Sequence, residues 1–280
     1  MRGLPDLPDL QIVPTPMLLP HEQVDEGRTA PLVERLRAEG ILRNPPIAIQ
    51  AGDRSGRFVV LDGANRTVAF RIMGLPHGLV QVVHPGSSSV QLLTWNHVLS
   101  GASREALIEA VERHPDLALV PSDEDRAVFN LSSGGTLAYV VYSSGQVSEV
   151  VGETEPLEWG VRNLDRLVAS YQGLCRIDRV STASPRGLRE VYPGFAALVV
   201  FRRFEVEEVV EAASMGLLFP AGLTRFVISP RALRLNFPIA VLSDGRSIEE
   251  KQQVLSGWLR DRVGGRHVRF YAESTFLFDE

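Results

Sequence analysis

Apolar and polar residues alternate along this chain with two different periods, and each change of period marks the end of a short helix or strand. In PLVERLRAEGI, Leu32, Val33 and Leu36 recur at helical spacing with Glu and Arg opposite them, which predicts an amphipathic helix stopped at Gly40. PPIAIQ and RFVVLD are β-rich runs separated by the turn-forming AGDRSG, so two strands joined by a surface loop are expected. ANRTVAFRIMG mixes Val68, Phe70, Ile72 and Met73 with Arg66 and Arg71 and ends at Gly74, predicting a helix of about three turns. LVQVV follows as a strand, and SREALIEAVERHP as a helix begun at Ser103 and ended before Pro115.

After Val120 the pattern resets. AVFNLSSGGTLAYVVYSSG predicts a two-stranded hairpin around Ser132 to Gly135. LEWGVRNLDRLVASYQG predicts a helix, ALVVF a buried strand, and EVEEVVEAASMG a helix stopped at Gly216. RFVIS and PIAVL predict two further strands before the helix IEEKQQVLSGWLRDRV. The alternation implies an α+β chain: an N-terminal lobe over residues 1–118, a second, mixed α/β lobe over 119–280, and a cleft between them. There is no internal repeat and no low-complexity segment.

Composition narrows the function classes. Hydrophobic residues make up 44% and charged residues 22% of the 280, so a substantial core can form without covalent staples. With 34 acidic against 29 basic residues the formal charge is -5, which gives no overall case for a polyanion, and nucleic acid is not expected as a partner. Cys175 stands alone, so no internal disulfide is available and a reducing, cytoplasmic setting is expected. MRGLPDLPDLQIVPTP carries too much Pro and Asp for a signal peptide and reads as an extended lead-in. The oily FAALVVF runs at once into RRFEVEE, short of the roughly 18–20 residues a membrane span needs, so no membrane partner is expected. His21, His77, His84, His114 and His267 lack metal-ligand spacing and read as structural or exposed.

One corner carries candidate chemistry. In VVLDGANRT an apolar strand ends at Asp62, turns at Gly63 and enters a helix at Asn65 or Arg66. The first amides of a helix lack internal partners and carry the positive end of its dipole, so such a turn presents donors to an anion, phosphate above all. Gly63 permits close approach, Asn65 and Thr67 offer neutral hydrogen bonds, and Arg66 a bidentate fork. Asp62 could hold a metal ion or orient a hydroxyl. The same residues would equally serve as a plain helix cap with a solvated Arg66.

The segment from LVERLRAEGILRNPPIAIQ through GRFVVLDGANRTVAFRIMGLPHGLVQVV resembles the N-terminal domain of the ParB and sulfiredoxin superfamily, where the turn before the helix binds nucleotide phosphates. Within it the chain is similar to the free L-serine kinases, including those of siderophore gene clusters. LLPHEQVDEGR, TWNHVL, LVASYQGLCRIDRV, FPAGLTRFVISPRALRLNFPIAVL and the terminal FLFDE carry that resemblance from about Leu18 to Leu242 and at the C-terminus. It implies phosphoryl transfer from ATP or ADP, with a magnesium ion (Mg2+), to the hydroxyl of L-serine, giving O-phospho-L-serine for cysteine or siderophore precursors.

Carried over residue by residue, the resemblance makes Glu22 the general base and Asp62 a second catalytic carboxylate or metal ligand. It makes Gly63, Ala64, Asn65, Arg66 and Thr67 the phosphate cradle. The chain departs from the pattern at Ala64-Asn65, where kinases of this type carry histidine. Trp95, Asn96 and His97 would receive the amino acid, or else form a buried structural cluster. Thr224, Arg225 and Arg231 would meet the serine carboxylate or the transferred phosphate, or form surface ion pairs. The terminal FDE would pack back onto the site. Two other functions follow if the kinase reading fails. A ParB-like nucleotide- or DNA-binding regulator would need a basic helix-turn-helix, whereas SREALIEAVERHP is acidic on balance. A degenerate kinase acting as a ligand sensor would follow from the loss of the histidine. Sulfiredoxin chemistry would need a cysteine at the corner.

Overall fold

The strand-turn-helix corner belongs to a five-stranded mixed sheet. The structure, a computed structural model, describes residues 6–24, 26–86 and 89–271. Its first part runs β1 (Asp9–Pro14), β2 (Leu18–Pro20), α1 (Glu26–Glu39), β3 (Ile41–Leu42), β4 (Ile47–Gln50), β5 (Phe58–Asp62), α2 (Ala64–Ile72) and β6 (His77–Val83). The sheet order is β1-β6-β4-β5-β2, with β2 parallel to β5 at the edge. Alternation along β5 sorts its side chains: Phe58 and Val60 enter one core with α1 and α2, while Val59 and Leu61 enter another on the opposite face. Gly40, at φ 64°, ends α1 where the pattern predicts.

The chain continues through β7 (Val90–Thr94), β8 (Asn96–Ser100), α3 (Arg104–Glu112), β9 (Ala118–Ser122), α4 (Glu124–Ser132), β10 (Ala138–Tyr142), β11 (Val147–Val151), α5 (Leu157–Tyr171), β12 (Arg176–Val180), α6 (Leu188–Val191) and β13 (Phe195–Phe201). Six of these strands form a second, antiparallel sheet ordered β12-β8-β13-β10-β11-β9. Then come α7 (Val206–Ser214), β14 (Thr224–Ile228), β15 (Phe237–Pro238), α8 (Ile239–Ser243) and α9 (Ile248–Gly264). β14 pairs with β7, and α7 buries Val209 and Ala212 in the core of the second sheet but Ala213 in that of the first.

Three expectations change. The hairpin expected around Ser132 to Gly135 is instead the end of α4, because Asp123 caps that helix by accepting the Arg126 amide at 2.9 Å and Ala127 is buried beneath it. The hairpin comes one element later, where β10 and β11 meet across a turn closed by Tyr142 N to Gln146 O at 2.9 Å. PIAVL is not a strand: past Pro238 it coils into α8, whose Ile239 and Leu242 share one face and enter the first core. The division expected at residue 118 is crossed in both directions. β8 lies inside the second sheet, and Phe237, Ile239, Leu242 and Leu255 return to complete the first core. The terminal FLFDE lies outside the described residues.

Candidate active site

Glu22 and Asp62 leave the first sheet side by side. β2 runs parallel to β5 with Pro20 opposite Val60, and His21 continues that pairing through its ring, Nδ1 lying 2.6 Å from the Val60 carbonyl. Asp62 therefore ends β5 and Glu22 lies two residues past β2, at the carboxyl ends of adjacent parallel strands, the edge where open α/β sheets place their ligands. A carbonyl only accepts, so His21 Nδ1 carries the proton; burial lowers the ring's pKa despite the nearby Glu22 and Val60 carbonyl. The neutral ring then accepts at Nε2 from the Thr224 hydroxyl, 2.7 Å away.

The segment from Phe219 to Arg225 gathers most of the remaining groups. Phe219 pairs with Glu22 as a parallel bridge, with Phe219 N to His21 O at 2.9 Å and Gln23 N to Phe219 O at 2.9 Å. Gly222 N donates to Glu22 Oε2 at 2.9 Å, so the carboxylate is held by a backbone amide. The Leu223 carbonyl accepts from Trp95 N at 2.8 Å, and the Arg225 guanidinium lies 4.4 Å from the centroid of the Trp95 ring.

Trp95, Asn96 and His97 stand at the β7–β8 junction but do different work. Asn96 is buried and structural: Nδ2 donates to Thr182 O at 2.9 Å, and Oδ1 accepts from Phe201 N at 3.2 Å. His97, 2% exposed, shares a hydrogen bond of 2.9 Å between Nδ1 and the Tyr171 hydroxyl and meets Tyr171 and Phe201 edge to face. Burial, with help from Arg179, lowers its pKa to about 4, against a smaller opposing effect of the Gly222 carbonyl; Nε2 makes no well-aligned bond among the described residues. Of the three, Trp95 is the one that stacks with Arg225, whereas His97 lies behind the Gly222 peptide.

At the corner, Gly63 adopts φ 98° and no side chain caps α2. Arg66 folds back over it: a Cβ at Gly63 would fall 2.9 Å from Arg66 Nε and Nη2. Nη1 donates to Asn44 O at 2.8 Å and Pro45 O at 3.1 Å, while Nη2 reaches Asp62 Oδ1 at 3.4 Å, so the guanidinium braces the turn; burial lowers it to about 10. Thr67 is buried and its hydroxyl donates to Gly63 O at 3.3 Å. Asn65 Oδ1 lies 3.4 Å from the Thr29 hydroxyl, and Ala64 is buried. Arg231 pairs with Asp62 Oδ2, placed there by Gln81, whose amide bonds Pro230 O at 2.9 Å and Ala232 N at 2.8 Å. Asp62 thus lies between two guanidinium groups. An open cleft of about 640 Å³ lies between α1 and α2, lined by Gln23, Thr29, Ala30, Val33, Val68 and Ile72 among others, and it adjoins the corner through Thr29, the neighbour of Asn65. Among the described residues no group of three or more His, Cys, Asp or Glu is arranged to hold a metal, and no helix is long and apolar enough to cross a membrane.

The fold recurs in solved proteins. The chain superposes on a C-terminally truncated SbnI from Staphylococcus aureus with a TM-score of 0.72, covering 91% of this chain and 97% of that one at 22% identity. It superposes on a free serine kinase in complex with AMP with a TM-score of 0.70, covering 85% and 95% at 17% identity. The chain has the fold of the free serine kinases. In sequence it is 24% identical over 277 residues to the ATP-dependent L-serine kinase SbnI of Staphylococcus aureus, covering 97% of both chains. A second relative, an ATP-dependent L-serine kinase of Staphylothermus marinus, is 29% identical over 92 residues, 33% of this chain and 36% of that one. No protein-family profile matches.

Within the serine-kinase fold the structure brings Glu22, Asp62, the α2 turn, Trp95, Thr224, Arg225 and Arg231 to one edge and leaves Asn96 and His97 behind it. Sequence reasoning missed His21 as an orienting group for Thr224. It also missed Gly222 and Arg179. Both lie in motifs that stand out in the sequence, AGLTRF and LCRIDRV, but partners some 40 and 200 positions apart leave no local trace.

Proposed function

We propose that this protein transfers the γ-phosphoryl group of ATP to the hydroxyl of free L-serine. The observation that carries the reading is the placement of Glu22 and Asp62 at adjacent strand ends beside the uncapped, glycine-led N-terminus of α2. The two relatives named as ATP-dependent L-serine kinases support serine as acceptor and ATP as donor.

In this reading the nucleoside lies in the cleft between α1 and α2, and the phosphates meet the first amides of α2. Glu22, oriented by the Gly222 amide, takes the serine hydroxyl proton as the oxygen attacks phosphorus. The serine Oγ–P bond forms, the bond from the γ-phosphorus to its bridging oxygen breaks, and that oxygen's electron pair leaves with ADP. Arg225, stacked on Trp95, pairs with the serine carboxylate, and Arg231, exchanged from Asp62, meets the transferred phosphoryl group. Asp62, paired with Arg66 and Arg231, would hold a magnesium ion only once Arg231 leaves its Oδ2 for the phosphoryl group, as suits a metal that needs only one or two protein carboxylates. Bound there, the ion would neutralise phosphate charge.

Phosphorus NMR of the protein with Mg2+, L-serine and either ATP or ADP tests this. The expected result is a serine-dependent phosphoserine resonance in the ATP sample, with Glu22→Gln slowing turnover by about 100-fold or more while still binding nucleotide. Phosphoserine from ADP alone would reassign the donor. Silence in both samples with nucleotide still bound would replace the kinase by a ligand sensor, and full turnover by Glu22→Gln would remove Glu22 from the mechanism.

A further inference from the structure

Two arginines in this molecule lie against glycines beside the two site carboxylates. Arg66 covers Gly63, next to Asp62, and Arg179 covers Gly222, next to Glu22. A Cβ on Gly222 would fall 1.9 Å from Arg179 Cζ and 2.3 Å from both terminal nitrogens, so the guanidinium fills the space a side chain would take. Arg179 comes from β12, in the other sheet, and its Nη2 donates to Ala221 O at 2.8 Å. That carbonyl and the Gly222 N–H are the two ends of one planar peptide unit. One end is held by Arg179, and the other donates to Glu22 Oε2 at 2.9 Å.

The turn around this peptide is of a type with a peptide-flipped alternative. Leu223 N bonds Pro220 O at 3.2 Å with Gly222 at φ 69°, the signature of a type II turn with glycine in its third position. Types I and II differ by a rotation of the central peptide, here Ala221–Gly222, through about half a turn, which exchanges its carbonyl and N–H directions. In the flipped state the peptide would present a carbonyl oxygen to the Glu22 carboxylate. A charged donor on Ala221 O selects the observed orientation and polarises the N–H at the far end.

We propose that Arg179 is a positioning residue for phosphoryl transfer, locking the Ala221–Gly222 peptide with its N–H toward Glu22. The inference rests on the reading of Glu22 as general base. Steady-state kinetics of wild type, Arg179→Ala, Arg179→Lys and Arg179→Gln with L-serine and ATP test it, each rate expressed per folded enzyme. For Arg179→Ala, kcat should fall about 10–100-fold, the scale of a misplaced catalytic group, while the KM for ATP stays within about twofold. Lys and Gln, which still reach the carbonyl with a donor, should each restore part of kcat, and free guanidinium ion added to Arg179→Ala should do the same. If Arg179→Ala lowers only the melting temperature and keeps wild-type kcat per folded molecule, the inference is overturned and the kinase reading stands. If it does not fold, Arg179→Met, which keeps the bulk without a donor, decides: wild-type kcat per folded molecule in that variant overturns the inference. A wild-type protein that makes no phosphoserine removes the kinase reading, and the role of Arg179 with it.

Discussion

At the scale of single residues, His97 shows how a buried ring ties stability to pH. Above its ordinary value of 6.5 the ring is neutral in folded and unfolded chains alike, whereas the folded ring stays neutral down to about 4. Between those values the unfolded chain binds a proton that the folded one does not, so stability falls as pH falls through that window. Full loss amounts to about 3 kcal/mol for this one residue. His21 acts in the same direction, since burial lowers its pKa too. Urea unfolding of wild type and His97→Gln at pH 7.5 and 4.5 checks the assignment: the variant should show a difference between the two pH values smaller by about 2–3 kcal/mol. Equal differences would place the titration elsewhere. His97 reads in the sequence as a site residue because of its neighbours Trp95 and Asn96. In a β-strand, successive side chains point to opposite faces, and the face that His97 shares with Tyr171 and Phe201 is core.

At the scale of elements, α9 is attached by a buried cation. Lys251 has no exposed surface, and its Nζ reaches His77 Nδ1 at 3.0 Å, Leu242 O at 2.9 Å and Asp244 O at 2.8 Å. Burial and Lys251 together lower the His77 pKa, which keeps the ring neutral and able to accept that bond. One ammonium group therefore joins α9, the end of α8 and the start of β6. Lys251→Met fits the space but leaves three acceptors without their donor, so a loss of about 2–4 kcal/mol is expected in chemical denaturation. A stability within about 0.5 kcal/mol of wild type would show that water replaces the ammonium. The sequence shows α9 plainly as IEEKQQVLSGWLRDRV, and the structure adds a Ser247 cap whose box is completed by the Glu250 side chain. The sequence does not show that Lys251 faces inward, because lysine on an amphipathic helix is ordinarily solvated.

At the scale of the whole molecule, the two sheets share one chain path rather than dividing at a linker. Phe237, Ile239, Leu242 and Leu255 are each 6% exposed or less and belong to the core of the first sheet, although they follow the second sheet in sequence. Burying four such side chains contributes roughly 6–12 kcal/mol, comparable to the whole stability of a typical domain. A fragment of residues 1–118 is therefore expected to lack a cooperative unfolding transition and a dispersed amide spectrum. A fragment that unfolds cooperatively would show that the first lobe is complete without its C-terminal segment. The site depends on the same interlocking, since Glu22 and Asp62 come from the first sheet, Arg179 from the second, and the segment holding Gly222 and Arg225 lies between them.

What the sequence by itself determined is local. The VVLDGANRT corner, α1, α3, α5, α7 and α9 were legible because a glycine stop, a serine cap or an apolar period acts over a few residues and needs no distant partner. The resemblance in HEQ, TWNHVL and AGLTRF likewise led to Glu22, Trp95 and Arg225. Only the tertiary structure decided which of these face one another. AVFNL and PIAVL look extended by composition, and a capped first turn in one and burial of a single helical face in the other made them α4 and α8. Arg66 reads as a phosphate clamp until its carbonyl partners at Asn44 and Pro45 are seen, and Arg179 reads as one surface arginine among many until β12 sets it on Gly222. The reason is physical: helix periods and turn chemistry are short-range properties of the chain. The charge pairs and peptide orientations around Glu22 and Asp62 exist only once strands distant in sequence have been brought side by side.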